Sequence, residues 1–223
     1  MTDRPYALSI PYREPSGAFE AFAGDPVAAL LDGAADTIAR FPRFEVFFHE
    51  GRPSLLDALA LGRSAYGATG DDRIYLGWND SYEIGSYSRA GKLLQLTRLN
   101  MSGRPLTADM IEAYTAERVA GVRGESQRRR LEEYLSANPW PENLPAFREM
   151  RIDRRGNLWV EDYPAPGTSM NFWSVFDVEG FFLGRVTMPA EFSPLDIGPD
   201  YVLGVWRDAD DVEHVRMYEL VKP

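Results

Sequence analysis

Asp153-Arg154-Arg155-Gly156-Asn157-Leu158-Trp159-Val160 is the stretch whose reading decides the fold. An Asp closes a tight turn through its local backbone, a Gly supplies positive φ, and an apolar residue starts the next inner-facing strand. The layout recurs. Asp71-Asp72-Arg73-Ile74-Tyr75-Leu76 repeats it with acidic turn residues, and Pro199-Asp200-Tyr201-Val202-Leu203 gives a third copy.

Each copy is followed by a polar loop and a second β-rich run, at Tyr82 to Tyr87, Phe172 to Phe176 and Val212 to Tyr218. In the first two copies a hairpin signal comes next, Ser88-Arg89-Ala90-Gly91 and Asp177-Val178-Glu179-Gly180. These lead to Leu93–Leu96 and to Phe181–Val186, whereas the third copy ends at Glu219-Leu220-Val221. Between equivalent residues of the copies, Trp159 and Val202 stand 43 positions apart and Phe176 and Tyr218 stand 42 apart. A four-stranded propeller blade takes about 40 to 50 residues.

Tyr75 to Trp159 is 84 positions, about twice that period, and residues 104–144 account for the surplus. There Thr107 caps a helix with Met110, Ile111 and Tyr114 at helical spacing, and Leu131, Tyr134 and Leu135 mark a second amphipathic stretch ended by Asn138-Pro139. This predicts a helical hairpin that covers a blade edge or one face, or else serves as a partner-binding arm. Before residue 63 the repeat is degraded. Tyr6 to Tyr12, Phe19 to Phe22 and Phe44 to Phe48 read as strands of an irregular first blade, while Gly33 to Ala35 and Leu55 to Leu61 read alternatively as turn and helix.

The expected fold is all-β, a partial or small β-propeller of three to four four-stranded blades with an inserted helical hairpin. Its divisions are an irregular first blade or N-terminal segment at 1–62, a blade at 63–103, the insertion at 104–144, a blade at 145–190 and a C-terminal blade at 191–223.

Composition bounds the function. With 44% hydrophobic, 26% charged and 13% aromatic residues, the 223-residue chain is a globular one. The 34 acidic against 24 basic residues leave a charge of −10, which repels a phosphate backbone and excludes nucleic acid as a partner. The one basic run, Arg128 to Arg130, is followed by Glu132 and Glu133 and reads as a solvated helix face, with a docking patch as the alternative. The chain has no cysteine, so disulfides, thiolate metal sites and cysteine nucleophiles are excluded. Its first residues do not form a signal peptide and no run of about 18 apolar residues occurs, so no membrane span is expected and the chain as written is cytoplasmic.

The blade pattern, with Gly156-Asn157-Leu158-Trp159-Val160 and Phe176-Asp177-Val178-Glu179-Gly180, resembles the six-bladed β-propeller proteins of the NHL-repeat and TolB-like type. Asp-x-x-Gly-x-Leu phrases recur in that family. Asp153 to Leu158 matches the phrase, and Ser88 to Leu93 has serine in its first place. The likeness covers residues 63–99 and 146–221. Six blades need more chain than these three or four, so the resemblance implies a C-terminal part of a longer protein, whose full-length relatives are often exported. A chain that closes as a small ring, or self-associates through open blade edges, is the alternative.

No nucleotide-binding or hydrolase motif occurs, and His49 and His214 lack the spacing of a metal helix or triad. What recurs is a set of acidic and amide groups after the second strand of successive blades: Asn79 and Asp80, Glu161 and Asp162, then Asp208, Asp210 and Asp211. In a propeller those loops converge on one mouth of the channel. The resemblance implies a calcium-like hard cation there, as in lactonase-type enzymes, although Asn and Asp are also simply what polar turns use. Trp78, Trp159, Trp173 and Trp206, with Tyr75 and Tyr87, read as interblade packing rather than a stacking platform.

Three functions follow as expectations. The first is a non-catalytic propeller scaffold, without a cofactor, offering its channel mouth or inserted helices to a protein or small ligand. The second is a calcium-dependent lactonase or hydrolase with Asp80, Glu161 or Asp162 as ligand or base. The third is a propeller fragment without independent activity.

Overall fold

The computed structural model describes residues 6–9, 27–31, 35–40, 45–49 and 52–221. The chain is mostly β, arranged as small antiparallel sheets, and among the described residues no ladder joins one sheet to the next. Toward the N-terminus, β1 (Tyr6–Ser9), β2 (Val27–Leu31) and β3 (Ala35–Arg40) form one sheet, and β4 (Val46–His49) pairs with β5 (Arg52–Ala58). The strand β5 corrects the helical reading of Leu55 to Leu61: its partner β4 supplies a ladder that outweighs the helical spacing of Leu55 and Leu56. Phe19 to Phe22 lie outside the described residues.

Three sheets follow. Sheet I is the meander of β6 (Ala65–Thr69), β7 (Arg73–Trp78), β8 (Glu83–Ser88) and β9 (Leu93–Arg98). Between it and sheet II come the short ladder of β10 (Arg104–Pro105) with β11 (Asn143–Leu144) and the two helices that ladder brackets, α1 (Ala108–Ala120) and α2 (Glu125–Ala137). Sheet II is β12 (Phe147–Ile152), β13 (Leu158–Asp162), β14 (Met170–Phe176) and β15 (Phe182–Pro189). Sheet III has three strands, β16 (Phe192–Ile197), β17 (Tyr201–Arg207) and β18 (Glu213–Glu219), rather than the four of a full blade.

One turn recurs at four of the connections. Asp153, Asp177, Ser88 and Asp208 each donate their N–H to the carbonyl four residues on, and accept through their own carbonyl from the N–H three residues on. Their side-chain oxygens accept the N–H four residues on, at 2.9, 2.8, 3.2 and 2.9 Å. The third residue after the first needs positive φ, met by Gly156 at 85°, Gly180 at 78° and Gly91 at 79°, and in the fourth copy by Asp211 at 61°.

The sheets stack face to face, and sheet II lies in the middle. Alternate residues of β13 feed two cores, as the period of two requires. Leu158 and Val160, with Phe176 and Phe147, pack against Tyr75, Tyr82 and Ile84 of sheet I and its loop. Trp159, with Trp173 and Val175, packs against Phe192, Ile197 and Val202 of sheet III. All five residues of β13 are buried.

The ladders correct one equivalence drawn from the sequence. Val202 pairs with Ile197 and Tyr218, while Leu158 pairs with Ile152 and Phe176, so Val202 corresponds to Leu158 and Leu203 to Trp159. A slip of one residue exchanges the two faces of a strand. Matching Trp159 with Val202 therefore joins residues that face opposite neighbours.

The helices lie on the surface. Thr107 caps α1, its hydroxyl accepting from Met110 N at 3.3 Å, with Asp109 in the first turn and Arg118 in the last to complement the helix dipole. In α2, Arg128 to Arg130 are exposed, and Arg129 pairs with Glu125 at 3.6 Å. Asn138, the C-cap, accepts from Ala60 N at 2.8 Å, and Tyr134 donates to Ala58 O at 2.8 Å, tying α2 to the strand end before sheet I. Among the described residues no helix is long and apolar enough to cross a membrane.

Candidate functional site

The residues singled out from the sequence divide into two groups. Asn79, Glu161 and Asp162 sit where sheets I and II meet, while Asp208 and Asp210 lie on the β17–β18 hairpin. Asn79 and Asp80 follow β7 as expected, but Glu161 and Asp162 are the last two residues of β13 itself rather than part of the loop after it.

Asn79 is fully buried and joins the two sheets. Its Oδ1 accepts from Ser64 N at 2.6 Å and its Nδ2 donates to Phe147 O at 2.6 Å. Its carbonyl accepts from Ala146 N at 2.8 Å, and Tyr163 N donates to Ala146 O at 3.0 Å. Asp80 is exposed and accepts from Ser81 Oγ at 3.0 Å.

Glu161 is held by Arg148, whose Nε and Nη2 donate to its two oxygens at 2.6 and 2.9 Å. A bulge makes this pair. Phe147 opposes Asp162 and Glu149 opposes Glu161, so Arg148 is the extra residue of β12. Burial pushes the Glu161 carboxyl up, and the Arg148 guanidinium pulls it part of the way back.

Asp162 is buried and accepts from Tyr82 Oη at 3.2 Å, from Ser174 Oγ at 3.0 Å and from the Arg185 guanidinium. Burial raises the Tyr82 phenol, so it donates as a neutral hydroxyl. Asp208 closes its hairpin by accepting from Asp210 N and Val212 N, and its other oxygen lies 2.9 Å from His214 Nε2. Asp210 and Asp211 are exposed on the same turn.

Of the residues the sequence offered to a hard cation, Asn79, Glu161, Asp162 and Asp208 have side-chain oxygens engaged by backbone N–H groups, guanidiniums, hydroxyls and an imidazole, while Asp80 and Asp210 are exposed. Calcium takes six to eight converging oxygens. Among the described residues no group of three or more His, Cys, Asp or Glu is placed to hold a metal.

Beside the buried network lies a pocket of about 230 Å³ between α1 and the β13–β14 loop, lined by Tyr114, Arg118, Arg148, Tyr163 and Asn171. Asn171, only 3% exposed, brings its side-chain amide to the same lining. Burial first, then the neighbouring Tyr66 and Tyr114, pushes the Tyr163 phenol up to about 12, so the pocket presents a neutral hydroxyl at physiological pH. The carbonyl of Tyr163 accepts from Arg104 Nη2 at the foot of the insertion. Arg148, Tyr163 and Asn171 were absent from the sequence reading. The signal for Arg148 is weak, because a bulge residue interrupts the alternation that would mark its strand.

No protein-family model matches the chain, and no curated protein matches it either.

Proposed function

We propose that the chain is a non-catalytic β-propeller-type scaffold that binds a small polar ligand in the pocket between α1 and the β13–β14 loop. The observation that carries the reading is the pocket's lining, where the Asn171 amide stands with the Tyr163 hydroxyl and the Arg118 and Arg148 guanidiniums. The amide offers a ligand both a donor and an acceptor. The Tyr163 hydroxyl and the two guanidiniums around it suit a ligand carrying acceptor oxygens.

The propeller part of the reading is supported by the four copies of one turn and by meanders stacked face to face at a common register. The non-catalytic part is supported by the pairing of Glu161 and Asp162 with arginines, which leaves neither carboxylate as an available base. On this reading excess calcium leaves the melting temperature unchanged.

The test is a thermal-shift and ligand-observed NMR screen of small carboxylates, sugars and nucleotides, repeated on Asn171→Leu and on Arg118→Ala. Arg118 is exposed, so its replacement leaves the fold intact. A compound that stabilises the native chain and is weakened about tenfold or more by both substitutions supports the pocket. A hit indifferent to both, or no hit in any class, overturns it.

A further inference from the structure

The two junctions between sheets are closed differently, and the ladders show where. In sheet I, Ile74 pairs with Tyr87 just before the Ser88 turn, as Leu158 pairs with Phe176 just before the Asp177 turn in sheet II. Ile74 therefore corresponds to Leu158, and Arg73 to Asn157. By the same count Ser86 corresponds to Val175, and their partners on the outer strands are Gln95 and Gly184. Both ladders shift at the same step, between Ser86 and Tyr87 and between Val175 and Phe176, which confirms the alignment.

At the junction of sheets I and II those positions carry long side chains that reach across. Arg73 donates through Nη1 to Val178 O at 2.6 Å and Gln95 through Nε2 to Glu179 O, so the β14–β15 turn is held against sheet I. At the junction of sheets II and III the same positions carry Asn157, whose Nδ2 turns back to Asp153 at 2.8 Å, and Gly184, which has no side chain. A Cβ at Gly184 would meet no atom within 4 Å. The result is a cleft of about 400 Å³, lined from sheet II by Trp159, Val175 and Val186 and from beyond β18 by Leu220. That volume and that apolar lining are those of a small-molecule site.

The charge around the cleft is one-sided. Asp153, also in the lining, has both carboxylate oxygens taken up by its own turn and by Trp159 Nε1. Arg154 pairs with Asp196 and Arg185 with Asp162, whereas Arg155 stands exposed in the lining and pairs with no carboxylate among the described residues. We infer that this cleft binds a small free carboxylic acid with an apolar tail, the tail lying against Trp159 and the carboxylate meeting the Arg155 guanidinium. The tail is what an apolar lining takes out of water, and a carboxylate is the anion that a guanidinium holds through two parallel hydrogen bonds. The cleft shares no lining residue with the pocket beside α1, so either site can fail without the other.

The test is heteronuclear NMR of the whole labelled chain, titrated with phenylbutyrate and, as its neutral counterpart, phenylbutanol. Each of the five tryptophans gives one indole N–H signal, assigned by replacing each in turn with phenylalanine. Trp159 reports the cleft, while Trp140, in ring contact with Tyr114 at 5.9 Å, reports the pocket beside α1. The expected result is a saturable shift of the Trp159 signal with that of Trp140 unmoved. In Arg155→Gln the affinity for the acid falls about twofold to fivefold and that for the alcohol stays the same. Val186→Phe fills the cleft and removes binding of both, and Leu220→Trp does so from the opposite side if Val186→Phe does not fold. No saturable shift of Trp159, a shift of Trp140 alone, unchanged acid affinity in Arg155→Gln, or acid binding retained in both filling variants overturns the inference.

Discussion

The Trp159 indole Nε1 donates to Asp153 Oδ2 at 3.0 Å, so the residue that closes the β12–β13 turn also satisfies the largest side chain of the strand it launches. The other carboxylate oxygen accepts from Arg155 N and Asn157 N, and Asn157 Nδ2 donates to Oδ2 as well. Asp153→Ala therefore removes the turn's acceptor and leaves a buried indole N–H unpaired at once. The expected cost is about 2–3 kcal/mol. At roughly 2–4 °C per kcal/mol for a chain of this size, the melting temperature falls by about 4–12 °C, read by circular dichroism or calorimetry.

The two core tryptophans of sheet II differ in one atom's circumstances. Both are buried against sheet III, but among the described residues Trp173 Nε1 has no hydrogen-bond partner while Trp159 Nε1 has Asp153. Replacement by phenylalanine removes similar volume at each position. At Trp173 it also deletes an unpaired donor, and at Trp159 it breaks a bond. Trp159→Phe is expected to cost about 1–2 kcal/mol more than Trp173→Phe in urea denaturation, and equal costs would sink the assignment of the Trp159 bond.

Asn79 is a joint between sheets, its side chain bonded to Ser64 N and to Phe147 O. Asn79→Ala strands the Ser64 N–H and the Phe147 carbonyl in a buried place, at a cost of about 2–4 kcal/mol. Asn79→Asp is a sharper probe. It keeps the acceptor toward Ser64 but sets an oxygen against the Phe147 carbonyl and buries a charge, so it is expected to destabilise more than alanine at neutral pH and to recover partly in acid. Thermal melts at pH 7 and pH 4 separate the two roles, because a cation-binding Asn would tolerate Asp.

What the sequence makes legible follows from which forces are local. The turn at Asp153 to Gly156 needs only its own side chain and one positive φ, so the motif and the conformation coincide. The helices at 108–120 and 125–137 likewise announce themselves through spacing and the Thr107 and Asn138 caps. Strand β12 does not. Its apolar residues Phe147, Met150 and Ile152 lose their period of two at the Arg148 bulge, and the ion pair that bulge creates is lost to view with it. The shift between Trp159 and Val202 arises the same way, because the turns before β13 and β17 differ in length and only the ladder fixes which residue faces which sheet. Asn171 carries no signal at all, since lining a pocket is a property of its surroundings.

Acid should loosen sheet III first. The Arg154 guanidinium, followed by the Tyr201 hydroxyl, holds the Asp196 carboxyl below its ordinary value, and the His214 hydrogen bond, with the Val212 N–H, does the same for Asp208. A carboxylate whose folded value is depressed contributes stability that is fully present above the unfolded value near 3.8 and is lost as pH falls through the lower, folded one. Amide hydrogen exchange of β16–β18 is therefore expected to accelerate below about pH 4 relative to β7 and β8. Asp196→Asn should flatten the acid limb for β16 and β17 while leaving that of sheet I in place. Uniform acceleration across all three sheets would mean that acid acts on the chain as a whole and not through these two carboxylates.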